Sequence, residues 1–286
     1  MPELSEVLTL DYLRERGMVL SYAIVALVLF VIFMIGTFPY QEALTGALMP
    51  LGLEIAATSE RPAIPLGAVL ENVRLISLDH PSAPPIVQSE SLKLTPALGM
   101  LIGRPAVNIR ADMYGGRVWA NVSRRGDITG LTLDLSNIDL SRYPTSPSFA
   151  ATIKGIVSGT ASFENIGPTI NSQNGAFTLE GHDLEYGLIK GFPPLRFSHL
   201  KTTCRLDQAT LRVNALEGTG PDMTVSGSGV IHLGPTLALS MIEMTMRIMP
   251  TVAGRARLGM LFAFLPHPPD NRPYVFHGPL LMPQAN

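Results

Sequence analysis

The sequence predicts a mainly β protein, in which a single N-terminal transmembrane helix precedes a twisted, largely antiparallel β-sheet domain with a few short helices. Three observations carry this prediction. A long uncharged apolar run lies near the N-terminus, and short bursts of alternating apolar and polar residues follow from residue 53 onward. The 286 residues also include 26 Gly and 24 Pro, which argues against a helical bundle because both residues destabilise helix interiors.

The composition excludes several classes of protein. Charged residues make up 15% of the chain, against about 25% in an average domain, so the chain is too apolar to be intrinsically disordered. The formal net charge of −2 gives no basic excess, which argues against nucleic acid as a partner. The single cysteine, Cys204, excludes an intramolecular disulfide and a multi-cysteine metal site, and we expect it to be a small core residue.

The first predicted element is a transmembrane helix over residues 17–40. Its apolar run extends from Met18 to Ile35, includes Leu27 and Phe30, and contains no charged residue. A helix of that length spans about 27 Å, close to the hydrocarbon thickness of roughly 30 Å. A cleaved signal peptide would have a shorter apolar region, of about 7–15 residues, before a small-residue cleavage site. We therefore expect an uncleaved anchor.

The basic residues around this run predict its orientation. Arg14 and Arg16 lie just before it, whereas the first basic residue after it is Arg61. The positive-inside rule then places a tail of residues 1–16 in the cytoplasm and residues 41–286 on the other side. One cysteine and no disulfide framework favour a bacterial periplasm for that domain. The predicted location is the bacterial inner membrane, crossed once.

The sheet is predicted from period-two alternation between residues 53 and 278. Each burst is short and bounded by Gly, Pro, Asn or Asp, which is typical of antiparallel strands with one buried face. About a dozen strands are expected. The clearest bursts are Val69–Leu75, Ser91–Leu94, Val107–Arg110, Val118–Val122, Leu131–Leu135, Phe177–Glu180, Thr210–Asn214 and Val230–Leu233.

Glycines and prolines predict the turns between these strands. Gly115 and Gly116 are expected to form a hairpin turn, and Gly126 and Gly175 are interpreted in the same way. The Pro- and Ser-rich residues 143–148 are the best candidate for a division within residues 41–286. The Pro-rich tail after residue 266 is expected to be extended, apart from one strand at 274–277.

Three short segments are expected to be helical: Gln41–Leu48, Pro96–Ile102 and Val252–Phe264. Pro96 would occupy the first helical turn and Gly103 would follow the last. The third segment could pack on an open end of the sheet or lie against the membrane, and we favour packing on the sheet.

The sequence contains no motif that predicts catalysis, a cofactor or a metal. Nucleophile-elbow, zinc-protease, Walker A and Cys-x-x-Cys patterns are all missing. Gly227–Gly229 is interpreted as a turn or bulge rather than as the site of a nucleophile. The pairs Asp79–His80 and His182–Asp183 are interpreted as solvated turn residues. No two of the six histidines have the i, i+4 spacing of a helical metal site; they are His80, His182, His199, His232, His267 and His277.

A methionine-rich segment, residues 240–249, gives the one candidate binding surface. Thioether ligands would suit copper(I), but strand alternation explains the pattern better. Glu243, Thr245 and Arg247 would share the opposite, polar face. An adaptable apolar face of this kind suits a core, a groove for acyl chains or a partner's peptide. The candidate groove residues are Ile242, Met244, Met246 and Ile248.

The order of these motifs resembles a known family. The segment Leu92–Val122 combines a strand, a short Pro-started helix, a second strand, Tyr-Gly-Gly and a third strand; later come Ile153–Gly159, Gly191–Phe197 and a strand that ends at His277–Leu280. This layout resembles the type II secretion system protein N family (general secretion pathway protein N), and it is similar to AsmA-like periplasmic proteins. The resemblance covers most of residues 18–282.

The resemblance implies an inner-membrane, non-enzymatic accessory component of the type II secretion apparatus, with no catalytic residues to transfer. Its partners would be other subunits of the apparatus and the phospholipid bilayer. An exposed strand edge could dock a partner by strand addition, and Gly115–Val122 is one candidate edge. The AsmA-like relation implies a bent sheet with an apolar groove. The alternative function is therefore lipid binding or lipid transfer in the bacterial envelope, with a bound lipid as ligand.

Overall fold

The structure is a computed structural model that describes residues 40–49, 53–63, 67–78, 85–97, 106–126, 128–143, 152–166, 173–187, 192–234, 239–269, 272–280 and 284–285, with four isolated residues before them. The isolated residues are Ala26, Leu29, Phe30 and Phe33, all of them helical, and Phe30 is exposed. Apart from Tyr40, the other residues of the predicted span and its flank lie outside the described residues; they include Arg14, Arg16, Met18, Leu27 and Ile35. Within the described part of the chain, we find no helix with the length and apolar character needed to cross a membrane.

The chain is mainly β, as the alternation predicts, and its strands form one 15-stranded antiparallel sheet. From β3 onward each strand pairs with the next one in the chain. The strands are β1 (Leu53–Ala56), β2 (Ser59–Pro62), β3 (Ala68–Ser77), β4 (Val87–Pro96), β5 (Ala106–Met113), β6 (Gly116–Arg125), β7 (Ile128–Asp139), β8 (Thr152–Glu164), β9 (Asn174–Gly187), β10 (Leu195–Asp207), β11 (Thr210–Thr219), β12 (Met223–His232), β13 (Met241–Pro250), β14 (Tyr274–Pro279) and β15 (Gln284–Ala285).

The two edges of the described sheet are both made of short strands. β1 and β2 pair with the same side of β3, and Asn72, with a φ of 51°, lies opposite the break between them. At the other edge, β15 pairs with Phe276 and His277 of β14. The prediction that Gly115–Val122 is an edge is wrong, because β6 lies between β5 and β7. A hairpin signal identifies two adjacent strands and carries no information on the order of the whole sheet.

Alternating residues give the sheet an apolar face, here called the inner face, and a polar outer face. The inner face is organised in rows of directly paired residues. The central row crosses twelve consecutive strands without a polar side chain: Ala68, Leu94, Ile109, Ala120, Leu133, Ala161, Phe177, Cys204, Val213, Gly229, Met244 and Phe276. The neighbouring row, from Leu70 to Tyr274, is apolar apart from Thr202 and Tyr274, whose hydroxyls donate to backbone oxygens of Ala215 and His267.

Helices cover the inner face at its two ends. Near β1, Tyr40 and Leu44 of α1 (Tyr40–Leu48) pack on buried Leu70 and Leu94. Near the ends of β10–β13, Leu258 of α2 (Val252–Phe262) is fully buried beside Met223 and Val225. Both helices were predicted, and α2 packs on the sheet as expected, although it ends two residues earlier than the predicted segment.

Other local predictions need correction. Pro96 is the last residue of β4 and pairs with Val107, so it starts no helix, and residues 98–102 lie outside the described residues. Gly175 lies inside β9 rather than in a turn. The predicted hairpin turn is confirmed, with Tyr114 and Gly115 at its centre, both at positive φ. Residues 144–148 lie outside the described part of the chain, and β7 and β8, on either side of them, pair directly.

Candidate functional site

The four candidate groove residues lie on one face of β13. Ile242, Met244, Met246 and Ile248 are buried or half-buried on the inner face, whereas the residues that alternate with them are exposed. Met244 is 8% exposed and packs in a cluster with Cys204 and Val213. The surface offered by β13 therefore continues across the neighbouring strands. Cys204 is a buried core residue, as its solitary occurrence predicts.

An ion cluster around Asp222 lies in the turn between β11 and β12, directly before Met223, which packs with Leu258 of α2. The Asp222 side chain is 1% exposed. Arg196 donates to it from both Nε and Nη2 at 3.0 Å, and Arg257 of α2 donates to it from Nε at 2.9 Å and also from Nη2. Arg257 Nη2 reaches the carbonyl oxygen of Pro194 at 2.7 Å as well. The cluster thus connects β10, the β11–β12 turn and α2.

Close contact between the backbones of α2 and of the β11–β12 turn also holds α2 beside Asp222. Thr251 Oγ1 accepts a hydrogen bond from Gly254 N at 2.9 Å, which caps the helix, and donates to the carbonyl oxygen of Pro221 at 2.8 Å. A Cβ atom on Gly254 would lie 1.7 Å from the carbonyl oxygen of Asp222, so glycine is required there. The turn and the first helical turn are in direct backbone contact.

The Asp222 cluster has a structural role. Hydrogen bonds from Arg196, and the nearby Arg257 guanidinium, outweigh the effect of burial and lower the pKa of the Asp222 carboxyl to about 2. Its two oxygens are occupied by four N–H donors. A carboxylate held ionised in this way is a poor proton acceptor, and its role is to hold α2 over the end of the inner face.

A second cluster lies on the outer face, at the pairing of β9 with β10. His182 is directly opposite His199, and their ring centroids are 5.1 Å apart. Glu180 precedes His182 by two residues on the same face and lies opposite Lys201, with Nζ–Oε1 at 2.5 Å. Hydrogen bonding and charge from Lys201 lower the pKa of the Glu180 carboxyl, and the two histidines contribute to the same shift. A donor atom from each of Glu180, His182 and His199 lies within 4.8 Å of the others.

This second cluster was missed by the sequence analysis, which tested histidine spacing only along helices. His182 and Asp183 lie in β9 rather than in a turn, so the turn interpretation is wrong, although both residues are exposed. The alternation Glu180-x-His182 predicts that the two side chains share a strand face. The partner His199 becomes visible only once the register of β9 against β10 is known, because it lies 17 residues further along the chain.

Gly227–Gly229 lies inside β12, where the register of β11 shifts between Val213 and Leu216. The glycines allow β13 to approach closely, since a Cβ on Gly229 would lie 2.3 Å from the carbonyl oxygen of Glu243. The segment thus has the bulge-associated structural role that was predicted for it.

Comparison of the chain with protein-family models, with curated proteins and with solved structures gave no match.

Proposed function

We propose that the chain is a non-enzymatic, inner-membrane-anchored accessory component of the type II secretion apparatus, and that its β domain makes protein contacts in the periplasm. The observation that carries the proposal is that the strands and the Tyr-Gly-Gly turn of the resembling segment lie in the sheet, although Pro96 ends a strand and does not start the helix of that pattern. The segment Leu92–Val122, the longest of the segments on which the resemblance rests, includes the end of β4, all of β5, the Tyr114–Gly115 turn and most of β6.

The proposal includes the anchor and its orientation. The uncharged run from Met18 to Ile35 would hold the protein in the inner membrane, with Arg14 and Arg16 on the cytoplasmic side. The helix α1 would then follow the membrane span directly and lead into the sheet at β1. Partner strands would add at the β1/β2 edge or beside β14, where backbone groups of edge strands are available for pairing.

A second candidate function, AsmA-like lipid binding or transfer, is favoured by the central row of the inner face. That row pairs twelve strands through apolar residues alone. At a strand spacing of about 4.8 Å, the row is roughly 50 Å long, which is enough for lipid acyl chains to lie along it. The occupant of this surface would be the acyl chains of a phospholipid, because the row offers apolar contact and no charge.

One genetic experiment separates the two functions. A clean deletion strain is compared with its parent for proteins in the culture supernatant and for detergent sensitivity of the outer membrane. Loss of exoproteins with a sound outer membrane supports the secretion function. Unchanged secretion with a leaky outer membrane contradicts it and supports lipid transport.

A biochemical experiment tests the lipid function directly. The full chain is extracted in mild detergent and examined by native mass spectrometry for co-purified phospholipid. Met246→Lys places a charge on the half-buried inner face and should displace the lipid, whereas Thr245→Lys on the outer face is the matched control. A folded wild-type chain without lipid, or equal lipid in both variants, would contradict lipid binding.

A further inference from the structure

We propose that Glu180, His182 and His199 form a binding site for a divalent transition-metal ion of the kind that prefers imidazole ligands, with Zn²⁺ as the reference ion. The inference is independent of both functions proposed above. The site lies on the outer face of the sheet, where β9 pairs with β10, and it is the one group of three metal-ligating side chains found among the described residues.

The donor set fits this class of ion. Two imidazoles and one carboxylate are a common ligand set for Zn²⁺ and related metals, which bind nitrogen at about 2.0–2.1 Å and carboxylate oxygen at about 2.0–2.2 Å. Each of the three side chains has a donor atom within 4.8 Å of the other two, so small side-chain rotations bring them around one ion. His182 is exposed, and Glu180 and His199 are half-buried. The remaining coordination positions would therefore be open to water or to an external ligand.

The backbone sets this geometry in place. His199 faces His182 across the strand pair, where Cβ atoms are about 4.5–5.5 Å apart. A β-bulge lies directly after His182, where the register of β9 against β8 shifts opposite Gly155. Asp183 in this bulge has a φ of 50°, and Gly155 has a φ of 120°. A Cβ on Gly155 would lie 2.9 Å from the carbonyl oxygen of His182. Bulges of this kind redirect neighbouring side chains and are enriched beside functional sites.

Lys201 is the internal competitor for the metal. Its ammonium group holds Oε1 of Glu180 at 2.5 Å, and on its other side it is paired across the strands with Glu217. Binding of a cation at Glu180 would move Lys201 toward Glu217, which offers a second carboxylate on the same face. The site can thus accept a cation without leaving the lysine unpaired.

The test is isothermal titration calorimetry, in which Zn²⁺ is titrated into the purified full chain in detergent. Mg²⁺ is the comparison ion. We expect saturable binding of one Zn²⁺ and none of Mg²⁺, which prefers all-oxygen sites. The variants His182→Ala and His199→Ala should each raise the dissociation constant for Zn²⁺ at least about 10-fold. Even the loss of a residue that only hydrogen-bonds to a metal ligand typically weakens metal binding by about that factor. His277→Ala is the matched control, because His277 also lies opposite a glutamate, Glu243, but in no three-ligand group of the described residues.

A variant that binds Zn²⁺ more tightly is also needed, because misfolding can explain a loss of binding but not a gain. Lys201→Met removes the competing cation and should lower the dissociation constant by up to about five-fold, the range for an exposed ion pair. The proposal is overturned if the wild-type chain binds no Zn²⁺, or if His182→Ala and His199→Ala bind it as tightly as His277→Ala does.

Discussion

At the scale of single residues, Asp222 is the side chain whose loss should matter most for stability. It is 1% exposed and carries two guanidinium partners. Asp222→Asn keeps the shape and removes the charge, so Arg196 and Arg257 would face a neutral amide. Breaking a buried ion pair from one side is strongly destabilising, and we expect a loss of about 2–4 kcal/mol in the free energy of unfolding, measured by urea denaturation.

A matched control for this variant exists on the surface. Asp112 pairs with Arg117 at 3.6 Å, and both side chains are more than half exposed. Asp112→Asn should change the free energy of unfolding by no more than about 0.5 kcal/mol, because water screens exposed pairs. Equal effects of the two variants would contradict the structural role assigned to the Asp222 cluster.

The same cluster predicts a pH dependence. The pKa of Asp222 is lowered from 3.8 to about 2 in the folded protein. Its stabilising contribution is therefore complete above about pH 4 and is lost as the pH falls through 2, and it amounts to about 2 kcal/mol. In urea titrations from pH 5 to pH 2, the stability difference between wild type and Asp222→Asn should shrink. A difference that stays constant over this range would contradict the lowered pKa.

The Asp222 cluster and the histidine pair could not be predicted from the sequence, for a physical reason. Asp222 is separated from Arg196 by 26 residues and from Arg257 by 35, and nothing in the local pattern brings them together. His182 and His199 likewise meet only through strand register. By contrast, the burial of Cys204 was predicted from its being the single thiol of the chain, and the common face of Met244 and Met246 was predicted from alternation.

At the scale of elements, Leu258 is the buried centre of the apolar packing between α2 and the sheet, in addition to the ion cluster around Asp222. Leu258 is fully buried, whereas Met260, two residues later, is 70% exposed. Leu258→Ala should lower the free energy of unfolding by about 2–4 kcal/mol, because it removes buried contacts and leaves a cavity. Met260→Ala is the control and should stay within about 0.5 kcal/mol.

A local measurement distinguishes undocking of α2 from global unfolding. Arg255 is exposed on the helix, and trypsin can cut there once the helix opens. Leu258→Ala should speed this cleavage, and Met260→Ala should not. Cleavage at equal rates in both variants would show that Leu258 does not hold the helix in place.

The element-scale predictions succeeded where the signal was periodic and failed where it rested on a single residue. Alternation located the strands, and the apolar spacing after residue 252 located α2. Gly175 was misassigned to a turn, because a glycine inside a strand can equally well make room for a neighbour. A Cβ there would lie 2.3 Å from a ring carbon of Phe163, so the glycine lets that side chain cross the inner face. Pro96 was misassigned for a similar reason, since a proline also fits the end of a strand.

At the scale of the whole molecule, the sequence predicted an antiparallel sheet but not its strand order. Alternation reports which face of a strand is buried, and it contains no information on which strand lies beside it. The central row of the inner face depends on eleven strand pairings in register, and a one-residue slip in any of them would turn apolar side chains outward. The continuity of that row is therefore a property of the fold.

This continuity leads to a prediction about a site far from β13. Ala161 of β8 lies in the central row between Leu133 and Phe177, whereas the preceding Thr160 is exposed on the outer face. If acyl chains occupy the row, Ala161→Glu should remove co-purified phospholipid as effectively as Met246→Lys, since a carboxylate would have to be desolvated beneath them. Thr160→Glu should retain the lipid. Circular dichroism of both variants would verify that the sheet is intact.

Complementation of the deletion strain with the same pair relates the row to the biological function. If the protein acts in secretion through its strand edges, folded Ala161→Glu should restore exoprotein release as well as Thr160→Glu does, because both edges are many strands away from β8. If the inner face is what the cell uses, Ala161→Glu alone should fail. If a folded Ala161→Glu protein loses both the lipid and the ability to complement, the functional surface is the apolar inner face of the sheet and not its strand edges.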